Sequence, residues 1–322
     1  MQQDYTYAVA RIRSHETRLL SDADLNGLMA AKDVSTVMRM LKDKGWGDGS
    51  ADQHPDQLLR AEEEKLWAFI DEIVPERDTF AFLLVQNDFH NLKVAVKAIT
   101  RGIDPDDLFI RNAMTDPSHI FDALKRREYS ELPEYLRDTA KEAMTALLQT
   151  SDGQLCDVII DRACMEYVYA LGKDHDNELV RLYCELFVVC ADIKLAVRCA
   201  KVEKSRDFIL RSLAECATLD IPRLAAAAAA GRQEIITYLN TTEYRSATHA
   251  LEQSMSAFEK WCDDYLTAVM KPQKWEPFTI GPIIAYIIAR QNEIKAVRMI
   301  LSAKVNGLDE AMMKERLRLM YV

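Results

Sequence analysis

Glycine and proline are scarce, at 10 and 9 in 322 residues. So little punctuation excludes an architecture built on many tight turns, and no stretch alternates apolar and polar residues as a half-buried strand would. Long apolar runs are missing too. The most apolar windows, 281–289 and 224–231, fall well short of the ~20 residues a spanning helix needs. Asp4 and Arg11 stand where a signal peptide would carry an apolar run, so the chain is expected on the cytoplasmic side, with no membrane span of its own. A basic excess is also absent. The formal charge of −10 argues against a nucleic-acid partner, because phosphate contacts require clustered cations. The seven cysteines form no CxxC and no zinc-like spacing, and they read as buried reduced thiols.

Catalytic signatures are lacking as well. There is no glycine-rich strand-to-helix loop for a nucleotide, no nucleophile elbow and no HExxH among the six histidines. An all-α enzyme holding magnesium through DDxxD would need a third carboxylate after Asp263 and Asp264, where Tyr265, Leu266 and Thr267 follow instead. The acids at 104–107 suit a helix cap and first turn better than a metal. No catalytic residue, metal or cofactor is expected.

Helical signals fill the chain. Apolar residues make up 49% and charged residues 29%, normal for a globular protein. Ser21 with acids at 22 and 24 reads as a helix start, and Gly45 as a stop. Helices are expected over about 56–74, 78–100, 131–150, 176–201 and 281–304. The predicted class is all-α.

One short pattern occurs three times, as DFHNLKVAVKAI at 88–99, ADIKLAVRCAK at 191–201 and RQNEIKAVRMIL at 290–301. Its lysines, Lys93, Lys194 and Lys295, stand 101 residues apart in both intervals. A helix pair ending on Leu precedes the first and third copies, with an aromatic five residues on: Leu41 with Trp46, and Leu239 with Tyr244. The middle copy, at 132–148, lacks the aromatic. A period near a hundred residues exceeds solenoid units of about 20–50 and predicts three related helical domains, 1–105, 106–207 and 208–322. The N-terminal helix is a candidate to pack with the third.

In each copy an apolar seam runs beside two cations about a turn apart: Lys93 and Lys97, Lys194 and Arg198, Lys295 and Arg298. A second register is open for the third copy, with Glu293 and Arg298 matching Asp88 and Lys93. Such cations can lay their stems over the core with heads in water, or line a surface facing an acidic partner. The six are the candidate partner-facing residues.

The opening YAVARIRSHETRLL, the NDFHNLKVAVKA segment and the ending GPIIAYIIARQNEIKAVRMILSAK…MYV resemble the C subunit of bacterial and archaeal V-type (A-type) ATPases, the homologue of the d subunit of the vacuolar enzyme. The resemblance spans nearly the whole chain and is loosest in the middle, where Asp192 stands in place of the family's usual Asn. It implies three helical domains about a pseudo-threefold axis, shaped as a funnel without active site or cofactor. It implies a rotor subunit on the cytoplasmic face of the membrane ring of proteolipid subunits. The funnel would receive the central-shaft subunits D and F and so serve the catalytic subunits A and B indirectly. Ion transport, of protons or sodium, would thereby be linked to ATP synthesis or hydrolysis. A generic all-α scaffold or adaptor outside any motor is the alternative.

Overall fold

A computed structural model describes residues 5–50 and 52–322. Those residues form sixteen α-helices joined by loops and short 3-10 turns, with no strand among them. The chain divides into two compact units: the ends, up to Glu76 and from His249, make one, and Arg77–Thr248 makes the other.

The first unit opens with α1 (Thr6–Glu16), α2 (Asp22–Ala30), α3 (Val34–Asp43) and α4 (Pro55–Ile73). Ser21 caps α2 through a reciprocal box with Asp24, each side chain meeting the other's backbone N–H. Pro55 occupies the first turn of α4, where a missing N–H costs nothing.

The second unit holds α5 (Ala81–Arg101), α6 (Pro117–Arg126), α7 (Glu134–Thr150) and α8 (Gly153–Gly172). It continues with α9 (Glu178–Lys201), α10 (Arg206–Ser212), α11 (Ile221–Ala230) and α12 (Arg232–Leu239). The alanine run of α11 ends at Gly231, whose φ of 128° an L side chain would resist. α13 (Ala247–Gln253) straddles the boundary, and α14 (Met255–Met270), α15 (Gly281–Val305) and α16 (Glu310–Arg316) complete the first unit.

The three copies of the basic pattern fall on α5, α9 and α15. α5 and α15 pack on helices that come after them in the repeat order, and α9 on helices to either side of it. α5 lies against α6, α7 and α8, while α9 touches α8 and also α11 and α12. α15 lies against α2, α3 and α4, at the opposite end of the chain. Its seam of Ile294, Val297, Ile300 and Leu301 shares one core with Leu25, Leu28, Val37, Leu41 and Leu58. Each such side chain contributes about 1.5–3 kcal/mol on burial. α1 packs on α15 too, with His15 stacked on Phe69 of α4 at 3.7 Å.

The seven cysteines are all free, and Cys156, Cys164, Cys184 and Cys199 are buried. Burial pushes the thiols of Cys164 and Cys184 up to about 12, so both stay protonated and inert. Asp263 and Asp264 have structural partners: Arg318 pairs with Asp263, while Lys260 and the Leu319 N–H reach Asp264. They pin the C-terminal segment. Asp104 accepts the Asp106 N–H at 3.2 Å, and Asp106 pairs with Arg111 at 2.5 Å, so this acidic run organises a turn.

Candidate functional site

The recurring helices end alike. α5, α9 and α15 each close on a left-handed residue, Gly102, Glu203 and Gly307, with φ of 66°, 52° and 65°. The next N–H in each returns to a carbonyl five residues back: Ile103 to Ala98 at 3.1 Å, Lys204 to Cys199 at 3.1 Å and Leu308 to Ala303 at 2.9 Å. These ends select the second register for the third copy. Counted back from them, Lys93 matches Lys194 and Arg298, and Lys97 matches Arg198 and Ser302, while Lys295 lies three residues out of place.

The six cations meet different surroundings. Lys93 and Lys97 on α5 reach Asp161 and Asp157 of α8, both at 2.5 Å. The crossed numbering shows that the two helices run antiparallel. The acidic counterpart of these lysines is therefore in the chain itself. Partly exposed pairs of this kind contribute about 0.2–1 kcal/mol each. Arg298 pairs with Glu63 of α4 at 3.4 Å. Lys194, Arg198 and Lys295 make no ion pair among the described residues, and Arg198 and Lys295 are exposed.

The same helices also carry buried polar groups that the basic pattern hides. On α5, Asp88 accepts the Thr115 N–H at 2.9 Å and the Tyr135 hydroxyl at 2.6 Å. One turn on, Asn91 accepts the Ile110 N–H and donates to the Ile110 carbonyl, both at 2.8 Å. At the place of Asn91, α9 carries Asp192, which accepts the Ala214 N–H at 3.1 Å. At the place of Asp88, α15 carries Glu293, which accepts the Leu20 N–H. Each helix thus grips the backbone leading toward the helices it packs on. Glu185 does likewise, taking the N–H groups of Thr218 at 2.9 Å and Ala217 at 3.2 Å.

Burial sets the protonation of these acids. It pushes Asp88 up to about 6, although Tyr135 and the Thr115 N–H oppose the shift. Asp192 has one backbone donor and no ion pair, and burial pushes it up to about 8. Its Oδ2 has no hydrogen-bond partner, as suits a neutral acid. Burial also raises Glu293, against the pull of Arg290.

Arg290 of α15 bridges two buried acids, Glu293 on its own helix and Glu62 of α4, and lies 4.4 Å over the Trp46 ring. Glu62 also accepts the Gly47 N–H and pairs with Lys65, both at 2.7 Å. The aromatic that follows Leu41 thus sits at an ionic junction. Its counterpart Tyr244 meets Thr218, itself held by Glu185, at 2.7 Å. Both aromatics are buried. The sequence signal for these groups was a carboxylate set within an apolar seam, where an acid almost never lies unless paired.

Together these features define a helical scaffold in which three of the six recurring cations, and the buried acids beside them, are engaged within its own packing. No helix of the described residues is long and apolar enough to cross a membrane, and no cluster among them could hold a metal ion. The chain belongs to the ATP synthase (C/AC39) subunit family, whose model matches residues 8–316, and is accordingly a subunit of a rotary ATPase. It is similar to the C subunit of the V-type sodium ATPase of Enterococcus hirae, 23% identical over 318 residues that cover 96% of this chain and 97% of that protein. The C subunit of the A-type ATP synthase of Methanocaldococcus jannaschii is 23% identical over 343 residues, covering 94% and 84%. That of Halorubrum lacusprofundi is 23% identical over 332 residues, covering 94% of each.

Proposed function

We propose that the chain is a non-catalytic central-stalk subunit, a socket that joins a membrane rotor ring to a central shaft and so links ion movement to ATP synthesis or hydrolysis. The observation that carries this reading is the family match over nearly the whole chain. The interleaved packing supports it. α15 binds helices from the start of the chain, as α5 and α9 bind helices that follow them, and the pseudo-threefold funnel is the arrangement that the family resemblance implies for such repeats. One relative's name mentions a sodium ATPase and others ATP synthases, and the ion is read as sodium or protons from the family resemblance.

The partners are the ring's proteolipid subunits and shaft subunits D and F, with catalytic subunits A and B reached through the shaft. The place is the cytoplasmic face of the membrane. Lys194, Arg198 and Lys295 are the cations most available to an acidic partner, since Lys93, Lys97 and Arg298 have acids of their own. Purified shaft and detergent-solubilised ring are expected to form a ternary complex only when this chain is added. Equal association without it would favour the generic scaffold.

A further inference from the structure

A cleft of about 660 Å³ opens in the first unit, within the range of about 300–1,000 Å³ that small-molecule sites occupy. Helical spacing builds its walls. Glu62, Lys65 and Phe69 follow one another at three and four residues on α4, and Tyr286 and Arg290 stand four apart on α15, so each set shares a face. His15 of α1 and Trp46 of the loop after α3 complete the lining. Lys65 holds that loop in place by donating to the Gly45 carbonyl at 2.9 Å.

Charge and aromatic surface meet in this cleft. Four permanent cations line it, Arg18, Lys44, Lys65 and Arg290, against the acids Asp43 and Glu62, on a chain of net charge −10. Three of the cations are shared with acids: Lys44 with Asp24 at 2.8 Å, Lys65 with Glu62, and Arg290 with Glu62 and Glu293. Glu62 also takes the Gly47 N–H, so its oxygens have little acceptor capacity left.

Donors are left over. Arg18 is exposed, and its guanidinium makes no ion pair or hydrogen bond among the described residues. Tyr286 is only 5% exposed, yet its hydroxyl has no hydrogen-bond partner among them, a costly state for a buried polar group. The ring nitrogens of His15 have none either. Burial lowers the His15 pKa, and Arg18, Arg11 and Arg290 lower it further against Glu72, so the imidazole is neutral at a positive potential.

Unspent donors at a positive potential match an anion with several acceptor oxygens, and the planar fork of arginine suits phosphate. Trp46, Phe69 and Tyr286 add a buried aromatic wall, with Phe69 and Tyr286 edge to face at 6.0 Å, which suits a flat ring. We infer that the cleft binds a small organic phosphate carrying an aromatic ring, the class of a nucleoside monophosphate, with Arg18, His15 and the Tyr286 hydroxyl taking the phosphate.

The test titrates the full chain with AMP by calorimetry at low salt. One saturable site is expected, with adenosine and inorganic phosphate each at least about tenfold weaker, since each lacks half of the recognised chemistry. Arg18→Gln should weaken AMP binding at least about tenfold and Tyr286→Phe about threefold or more, both with the wild-type thermal midpoint when no ligand is present. Bound phosphate opposes the arginine field, so the His15 imidazole should titrate at higher pH with AMP than without, read from its NMR signals. Absence of saturable binding at millimolar AMP overturns the inference. Equal affinity for inorganic phosphate does so too, as does an Arg18→Gln variant that binds as well as wild type. Each of these results leaves the proposed function standing, because only the isolated chain is titrated.

Discussion

Asp192 has the most to say at the scale of single residues. Its raised value, about 8, means that the folded chain holds a proton that the unfolded chain releases near the ordinary carboxylate value. Between roughly pH 4 and 8 the native state therefore binds more protons. The stabilising contribution is complete in acid and is lost as pH rises through 8. Asp88 adds to the same slope up to about 6. Asn does this work at the matching position, as Asn91. Asp192→Asn is expected to flatten the melting temperature against pH between about 4 and 8 and to stabilise the chain above 8. An unchanged slope would show that Asp192 is ionised in the fold. Arg290 makes the opposite case. Arg290→Met leaves Glu62 and Glu293 buried without their shared cation, and about 3–5 kcal/mol of stability should be lost in denaturant unfolding. The acids were in plain view in the sequence, yet their partners were not. Nothing local to Glu293 announces the Leu20 N–H, which arrives from the far end of the chain.

At the scale of elements, the helix ends decide between the two registers that the sequence left open for the third copy. A glycine stop fixes register through backbone geometry, whereas a lysine beside a seam can shift by one turn and keep its surroundings. Gly102 and Gly307 are of the residue type that favours such a stop. Glu203, in the same left-handed cap, carried no such mark. Replacing it with glycine removes the Cβ clash and is expected to stabilise by about 1 kcal/mol in thermal or denaturant unfolding. The cations divide by partner. Reversing Lys93 and Lys97 together should cost about 1–2 kcal/mol, most of it recovered when Asp157 and Asp161 are made lysine. Reversing Lys194 and Arg198 should leave stability within about 0.5 kcal/mol. Its effect should appear in partner binding at low salt, measured against the assembly. The long helices were legible because few breakers interrupt them, and α4, α9 and α15 lie within two residues of the bounds expected from caps and periodicity.

At the scale of the whole molecule, the recurrence of the basic pattern on three long helices was legible and the packing of those helices was not. Sequence order suggests that each pair of helices belongs with the basic helix after it. The contacts instead set α15 on α2, α3 and α4, and α5 on α6, α7 and α8. Such packing is held by buried groups, which gives the stiffness that the proposed role in transmitting torque would require. The most direct test is ATP-driven ion uptake into vesicles carrying the rotary complex with and without this chain. Without it, ATP hydrolysis by the catalytic head should continue while uptake stops, and adding the purified chain back should restore uptake. Uptake that proceeds at full rate in its absence would contradict the role of a coupling socket.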